Sequence, residues 1–421
     1  MADPTGPPTE AEALARDAAD PLASYRGKFL LPVSADGSTA IYLAGQSLGL
    51  QPIAARAAVA TELERWARLG VDAWFEPVEP WFTYTDRLRQ PMARIVGARP
   101  SEVAILNALT VNIHLLLASF FRPEGRRRRI LADGPLFPSD RHALASHLAQ
   151  RGLEPAQDLV VVEPSDGATF VPATHLEAAI REHGEDLALV WLGGVNFATG
   201  QVHEIERLTA AARSGGAVVG WDLAHAVGNV ELALHDWSVD FAAWCTYKYL
   251  NGGPGSVGAI FVHDRHGQDP STQRLGGWWG IDPDHRFDMI ARFEPASGAA
   301  GWEASTPPVL ALAPLSSSLA IFDEVGMPAL RAKSVDLTGY LASLLADLGV
   351  EVITPSDPAA RGAQLSLRFA DAEAVLGRLA ARGVVADYRA PDIIRVAPIP
   401  LYNTYHEVWR FAQLLREAAP G

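Results

Sequence analysis

The chain has 421 residues, 48% of them hydrophobic and 20% charged, a balance that suits a globular enzyme with two domains around a large core. Its formal net charge of −14 at pH 7 argues against a nucleic-acid partner or a general affinity for anionic membranes, and no run approaches the roughly eighteen apolar residues that span a bilayer. The single cysteine, Cys245, rules out an intrachain disulfide, and the N-terminus lacks the layout of a secretory signal, so a cytoplasmic protein is expected.

Residues 1–24 are rich in Pro, Ala, Glu and Asp without sustained apolar periodicity, and an acidic, mobile or loosely helical leader is expected there. Ile41–Pro52 reads as a short strand broken by Gly45 and Gly49. From Ala54 to Leu69 apolar and charged residues alternate at helical spacing, and Gly70 ends that helix. The stretch Val71–Thr85 is too dense in proline and aromatic residues to continue it and reads as a structured loop, with Trp74 and Trp81 as core or binding residues.

A strand over Glu102–Leu109 feeds a helix beginning at Thr110. Thr110 either simply caps that helix or stands where free backbone N–H groups and the helix dipole favour a phosphate. The basic run Arg126–Arg129 reads as a solvated loop leading into the strand Arg129–Asp133. Phe137-Pro138-Ser139-Asp140 is a helix start signal for a helix from about Arg141 to Arg151. Two apolar runs, Leu159–Glu163 and Leu187–Leu192, flank the amphipathic stretch Thr174–His183. This alternation calls for a parallel sheet with right-handed crossovers.

The next two strands carry the chemistry. Ala217–Trp221 delivers Asp222 at its carboxyl end, with His225 one turn later. Phe241–Cys245 delivers Tyr247 and Lys248, and Asn251-Gly-Gly-Pro-Gly255 behind them is a forced turn with several positions free to take positive φ. The chain has three lysines, Lys28, Lys248 and Lys333, and only Lys248 stands at the end of an apolar strand. A desolvated amine there can act as a nucleophile near neutral pH, and an aspartate beside it can hold a pyridine nitrogen protonated. The combination points to pyridoxal phosphate. Cys245, inside the apolar run, reads as packing and not as a thiolate. From about Leu310 the pattern becomes that of a smaller α/β unit: a long helix through Ser334–Leu348, strands near Val350–Ile353 and Leu365–Phe369, a helix over Asp371–Arg382 and a last one after Tyr405. Ile394-Arg395 ends a short strand with an arginine, whose fork suits a substrate carboxylate.

The run from Trp221 to His263 (WDLAHAVGNVELALHDWSVDFAAWCTYKYLNGGPGSVGAIFVH) closely resembles the kynureninases. So do Tyr42–Pro52, Leu106–Pro123, Phe137–Ala143, Gly276–Gly280, Lys333–Leu341 and Arg395–Asn403, in family order. The resemblance implies an α/β, aminotransferase-like fold type I, with a mostly parallel large-domain sheet and a smaller C-terminal α/β domain. The expected division is an N-terminal arm and substrate-proximal segment (1–50), a pyridoxal-phosphate-binding domain (51–310) and a small domain (311–421). It implies hydrolytic Cβ–Cγ cleavage of L-kynurenine, and more weakly of 3-hydroxykynurenine, to the corresponding anthranilate and L-alanine in tryptophan catabolism.

Carried over residue by residue, the resemblance makes Lys248, Tyr247 and Asp222 catalytic. It assigns Leu109, Thr110, Phe137, Pro138, Ser139, Asp140, Asp222, His225, Tyr247 and Lys248 to the cofactor, and Arg395, Ser47 and Trp74 to the substrate. Trp278 and Thr306, each either packing or a contact, would reach the cofactor or substrate from a partner subunit, which makes the expected assembly a homodimer with shared sites. No metal is expected. Gln46 replaces the family's usual asparagine, and Gly193 stands where many members carry a Ser or Thr cofactor contact; a backbone contact there or Asn196 is left to substitute. The competing readings are another enzyme of the same fold, an aminotransferase or desulfurase, and a catalytically silent cofactor-binding protein.

Overall fold

Seven short apolar runs pair into one sheet, in the spatial order Val103–Ile105, Ala259–Val262, Phe241–Trp244, Val218–Asp222, Leu187–Gly193, Arg129–Asp133 and Leu159–Val162. The computed structural model describes residues 8–269 and 271–419. The five strands from Leu159–Val162 to Phe241–Trp244 are parallel, and Ala259–Val262 runs antiparallel to both its neighbours. A parallel return needs a crossover of a dozen or more residues, usually a helix. Between Trp244 and Ala259 the chain forms the Lys248 turn instead, with Asn251, Gly253 and Gly255 at φ of 52°, 90° and 74°. The sheet is therefore mostly parallel, as expected, with two antiparallel edge pairings.

Both faces of the sheet are covered, so its strands are apolar throughout and Trp191, Trp221 and Trp244 are fully buried. Asp240 fastens the two strands that carry the site. Its Oδ2 accepts from the Val219 amide at 2.8 Å, on the strand that ends in Asp222, while its Oδ1 takes Arg265 and His266. The expected helices form at Ala54–Leu69, Leu109–Phe120 and Ala173–His183, and the one expected from Arg141 begins earlier, at Pro138, and runs to Gln150. The helix Tyr84–Val96, with Pro91 in its interior, is not marked by the sequence pattern.

A second sheet of four antiparallel strands has the order Glu351–Val352, Leu365–Arg368, Ile393–Val396 and Asp387–Arg389. Helices Met327–Ala346, Ala372–Ala380 and Tyr405–Ala418 bury Leu341, Leu344, Val375 and Phe411 in its core. The helix Val309–Val325 packs against Ala54–Leu69 and Tyr84–Val96, so it stands with the large sheet although it lies almost wholly past residue 310.

The leader contains a helix, Glu10–Ala19, closed by a Thr9/Glu12 capping box and docked on Tyr405–Ala418; residues 1–7 lie outside the described residues. Lys333 is buried in the helix Met327–Ala346, with Nζ 2.7 Å from Asp20 Oδ2 and donating to the Pro400 carbonyl at 2.6 Å. Ile41–Tyr42 pairs in parallel with Val384–Val385, and Ala44 bridges Ala397. Among the described residues no single helix is long and apolar enough to cross a membrane.

Candidate active site

The carboxyl ends of the parallel strands converge on a cavity of about 300 Å³. Asp133 and Asp222 end two of these strands, and Lys248 follows a third by four residues. Of the residues expected from the sequence, Ser47, Leu109, Thr110, Phe137, Ser139, Asp140, Asp222, His225, Tyr247, Lys248 and Arg395 all line this cavity. Pro138 does not; it is the first residue of the helix Pro138–Gln150.

Helices Leu109–Phe120 and Pro138–Gln150 aim their N-termini at one point. Neither has a side-chain cap, and Thr110 Oγ1 lies 2.7 Å from Ser139 Oγ. Two uncapped first turns and two hydroxyls make a cradle for an anion. Phe137, 38% exposed, presents its ring to the cavity and meets Phe197 edge-on at 5.0 Å between centroids.

On the floor lie two adjoining carboxyls. Asp222 Oδ1 accepts from the Ala224 amide at 2.8 Å, and Asp140 Oδ2 accepts from Trp191 Nε1 at 3.0 Å. Burial, with the Asp222 charge second, pushes the Asp140 carboxyl well above the usual carboxylate range. Burial also raises Asp222, and the neighbouring Lys248 charge opposes that shift. Asp140 Oδ1 is left buried without a partner.

Lys248 Nζ sits 2.9 Å from His225 Nε2. Burial, then the charges of Lys248, Arg395 and Arg389, lowers the His225 imidazole far below its ordinary range, so the ring is neutral. Burial raises the Tyr247 phenol, which keeps its proton at neutral pH. Cys245 is buried, and burial raises its thiol.

Arg395, 1% exposed, donates from Nε and Nη2 to Asp387 Oδ1 at 2.9 and 2.8 Å, from Nη2 to Ser47 Oγ at 3.0 Å, and from Nη1 to the Phe197 carbonyl at 2.7 Å. The Ser47 hydroxyl in turn donates to Asp387 Oδ2. Gln46 is fully buried and also lines the cavity.

Sequence pattern does not single out Asp133, Phe197, Arg389 or Asp387. Asp133 takes the Gly193 amide on Oδ1 at 2.8 Å and His203 Nε2 on Oδ2 at 3.2 Å. The Gly193 amide is thus committed to Asp133, and Asn196 is turned to Asp133 and the Pro135 carbonyl. A carboxylate at the end of an apolar strand is the signal that could have found Asp133.

Trp74, Trp278 and Thr306 do not line this cavity. Trp74 packs in an aromatic cluster 5.6 Å from Trp81 and 5.7 Å from Trp279; Trp278, 46% exposed, stands 5.8 Å from Trp279 on its rim. Thr306 lines a separate small cleft with Trp279 and Glu303.

Residues 330–415 match the model of the kynureninase C-terminal domain. The chain is 49% identical to the kynureninase of Salinispora tropica over 95% of each chain, and 46% identical to that of Koribacter versatilis over 96% of each. Among solved structures it superposes on the cysteine desulfurase of Thermococcus onnurineus NA1 (TM-score 0.74, 18% identity, 90% of this chain and 94% of that one). It likewise matches the cysteine desulfurase CsdA of Escherichia coli (TM-score 0.76, 19% identity, 94% and 98%). These likenesses show the shared fold, the aminotransferase-like fold type I, and the near-full-length relatives go further: the chain belongs to the kynureninase family.

Proposed function

We infer that this chain is a pyridoxal-phosphate-dependent hydrolase that cleaves the Cβ–Cγ bond of L-kynurenine to give anthranilate and L-alanine. One observation carries the reading: a lysine, a buried aspartate pair, a double helix N-terminus and a carboxylate-binding arginine all face one cavity. These residues fit the cofactor. The uncapped turns at Thr110 and Ser139 suit its phosphate, Phe137 its ring face, Asp222 its protonated ring nitrogen, and Lys248 its carbonyl carbon. The unpartnered Asp140 Oδ1 marks a floor built for a further polar group. When bound, the cofactor supplies an electron sink for the substrate's Cα and Cβ charges.

The chain's own residues do the rest. Arg395 holds the α-carboxylate. Lys248 Nζ, with its amine free, would take the substrate's Cα proton. Tyr247, protonated at neutral pH, would deliver a proton from its phenol to the substrate's β-carbon, and its neighbour Lys248 lines the same cavity. His225 orients the lysine amine through its neutral Nε2. Ser47 and Leu109 complete the walls.

The site is completed by a second copy of the chain. Trp278 and Thr306, the contacts expected from a partner subunit, lie outside their own chain's cavity, as does Trp74, expected near the substrate ring, and Trp278 is exposed beside Phe287, which itself meets Phe75. A two-fold dimer would set this aromatic rim over the partner's cavity. The arm (1–50), large domain (51–310) and small domain (311–421) belong to the same reading, with the helix Val309–Val325 at the start of the last packed on the large domain's helices. A cytoplasmic setting is supported by the lone, buried Cys245. The desulfurase alternative is disfavoured by that burial, which leaves no exposed thiol to carry sulfur.

Mixing the purified protein and pyridoxal phosphate with L-kynurenine and following anthranilate fluorescence tests the assignment. Anthranilate and L-alanine in equal amounts are expected, and alanine replaced by a keto acid would reassign it to transamination.

A further inference from the structure

Arg395 is aimed by a residue that does not itself line the cavity. Asp387, on the neighbouring strand, takes Nε and Nη2 of Arg395 on one oxygen, and takes the Ser47 hydroxyl and Arg389 Nη2, at 3.2 Å, on the other. A guanidinium is planar and presents its five N–H groups along fixed edges. Its Nε edge is committed to Asp387, so a carboxylate can reach Arg395 only end-on, at Nη1 and Nη2, by taking the place of two neutral acceptors, the Phe197 carbonyl on Nη1 and Ser47 Oγ on Nη2. The bond from Nη1 to the Phe197 carbonyl cannot fix that plane alone, because the guanidinium can rotate about a single bond. Arg389, with 41% of its side chain exposed, lines the same cavity and has a buried Nε without a partner. Two arginines and one aspartate sum to a single positive charge, the complement of one carboxylate.

We propose that Asp387 is a positioning residue for substrate recognition: it reserves the Nη1/Nη2 edge of Arg395 for the α-carboxylate and holds the second guanidinium, Arg389, away from that place. The proposal rests on the reading of Arg395 as the carboxylate anchor. It makes two separable demands. The acceptor at Asp387 Oδ1 must matter for binding, and it must matter through geometry more than through charge.

The test uses the holoenzyme and its D387A, D387N and R395Q variants. It measures kcat and KM for L-kynurenine, inhibition by L-alanine, which keeps the α-carboxylate and lacks the ring, and the thermal midpoint. In D387A the KM and the L-alanine inhibition constant are expected to rise together by about tenfold or more, with kcat within about threefold of the parent. In D387N, whose Oδ1 can accept the same two N–H groups, both should rise by only about threefold. Unchanged KM and inhibition constant in D387A, with both raised in R395Q, would overturn the proposal while leaving the anchor intact. So would D387N as impaired as D387A, which would make charge and not aim the cause, or a D387A that loses kcat and thermal stability with KM unmoved. If R395Q leaves both constants unchanged, the anchor reading fails and the proposal with it. Should D387A not fold, Asp387→Ser removes the shared acceptor with a polar side chain, and it is read against D387N by the same criteria.

Discussion

Nζ of Lys248 lies 2.9 Å from Nε2 of His225, and with a lysine N–H donating to that neutral imidazole, Nε2 accepts and the ring proton sits on Nδ1, which has no partner. The lysine is thus held by a hydrogen-bond acceptor that adds no charge. The other two lysines are occupied elsewhere, Lys333 with Asp20 and Lys28 with Glu324. Lys248→Ala should therefore lower turnover by more than about a thousandfold and abolish the long-wavelength absorption that covalent attachment of the cofactor produces. Steady-state fluorescence and an absorbance spectrum of the purified variant check both, and retention of either would refute the assignment of Lys248.

Asp240 predicts a pH-dependent stability. Burial raises its carboxyl, but the His266 bond and the Arg265 charge outweigh burial and hold it below the usual carboxylate range. A depressed folded value means stability that is fully present above the unfolded pKa and lost as the pH falls through the folded one. Asp240→Asn should cost about 2–3 kcal/mol at pH 7, with the gap between variant and parent closing as the pH falls below the usual carboxylate range. Urea titrations at a series of pH values measure this, and a gap independent of pH would mean that the charge of Asp240 contributes nothing.

If Trp278 reaches into the partner's cavity, two inactive variants should complement each other. In a mixture of Lys248→Ala and Trp278→Ala, random exchange puts one chain of each kind in half the dimers, and each such dimer has one site with both native residues. Activity should recover to about a quarter of the parent's. No recovery after verified subunit exchange would remove Trp278 from the partner's site.

Trp74 bears on which substrate is preferred. A tryptophan offers a ring an apolar face and one N–H donor, so a pocket that includes it gains little from a 3-hydroxyl group. A preference for L-kynurenine over 3-hydroxykynurenine on the order of 1–3 kcal/mol in kcat/KM is expected. A clear preference for the hydroxylated compound would show that Trp74 lies away from the substrate ring.

Strand ends make much of the site legible in the amino-acid sequence. Asp222 and Lys248 each follow an apolar run, and Thr110 and Phe137–Asp140 open helices, so local pattern places them where the fold collects ligands. Asp387 and Arg389 escape because their strand of three half-buried residues has no apolar alternation, and their meaning depends on pairing with the Arg395 strand. Gly49 reads as a strand breaker. Its actual constraint is a close approach, for a methyl group there would collide with the Lys248 carbonyl and with Asn251. Trp74, Trp278 and Thr306 lie outside their own chain's cavity, and nothing in the local sequence pattern marks that distance.

That close approach also sets the mechanics of the cavity. Leu43 donates to the Val385 carbonyl and Ala44 bridges Ala397, both beside the four-stranded sheet, while Gly49 donates to the Tyr247 carbonyl beside the seven-stranded one. Residues 45–48 are a tether a few bonds long between two bodies, and Gln46 and Ser47 are its middle links and part of the cavity wall. A displacement of one sheet relative to the other loads those links together with the direct bonds between the two bodies, such as Thr354 to the Thr199 carbonyl and Ser366 to the Ala198 carbonyl. Widening or narrowing the cavity at this end moves the hydroxyl that Asp387 and Arg395 share, so, with Arg395 as the carboxylate anchor, breathing of the protein and grip on the substrate would be one coordinate.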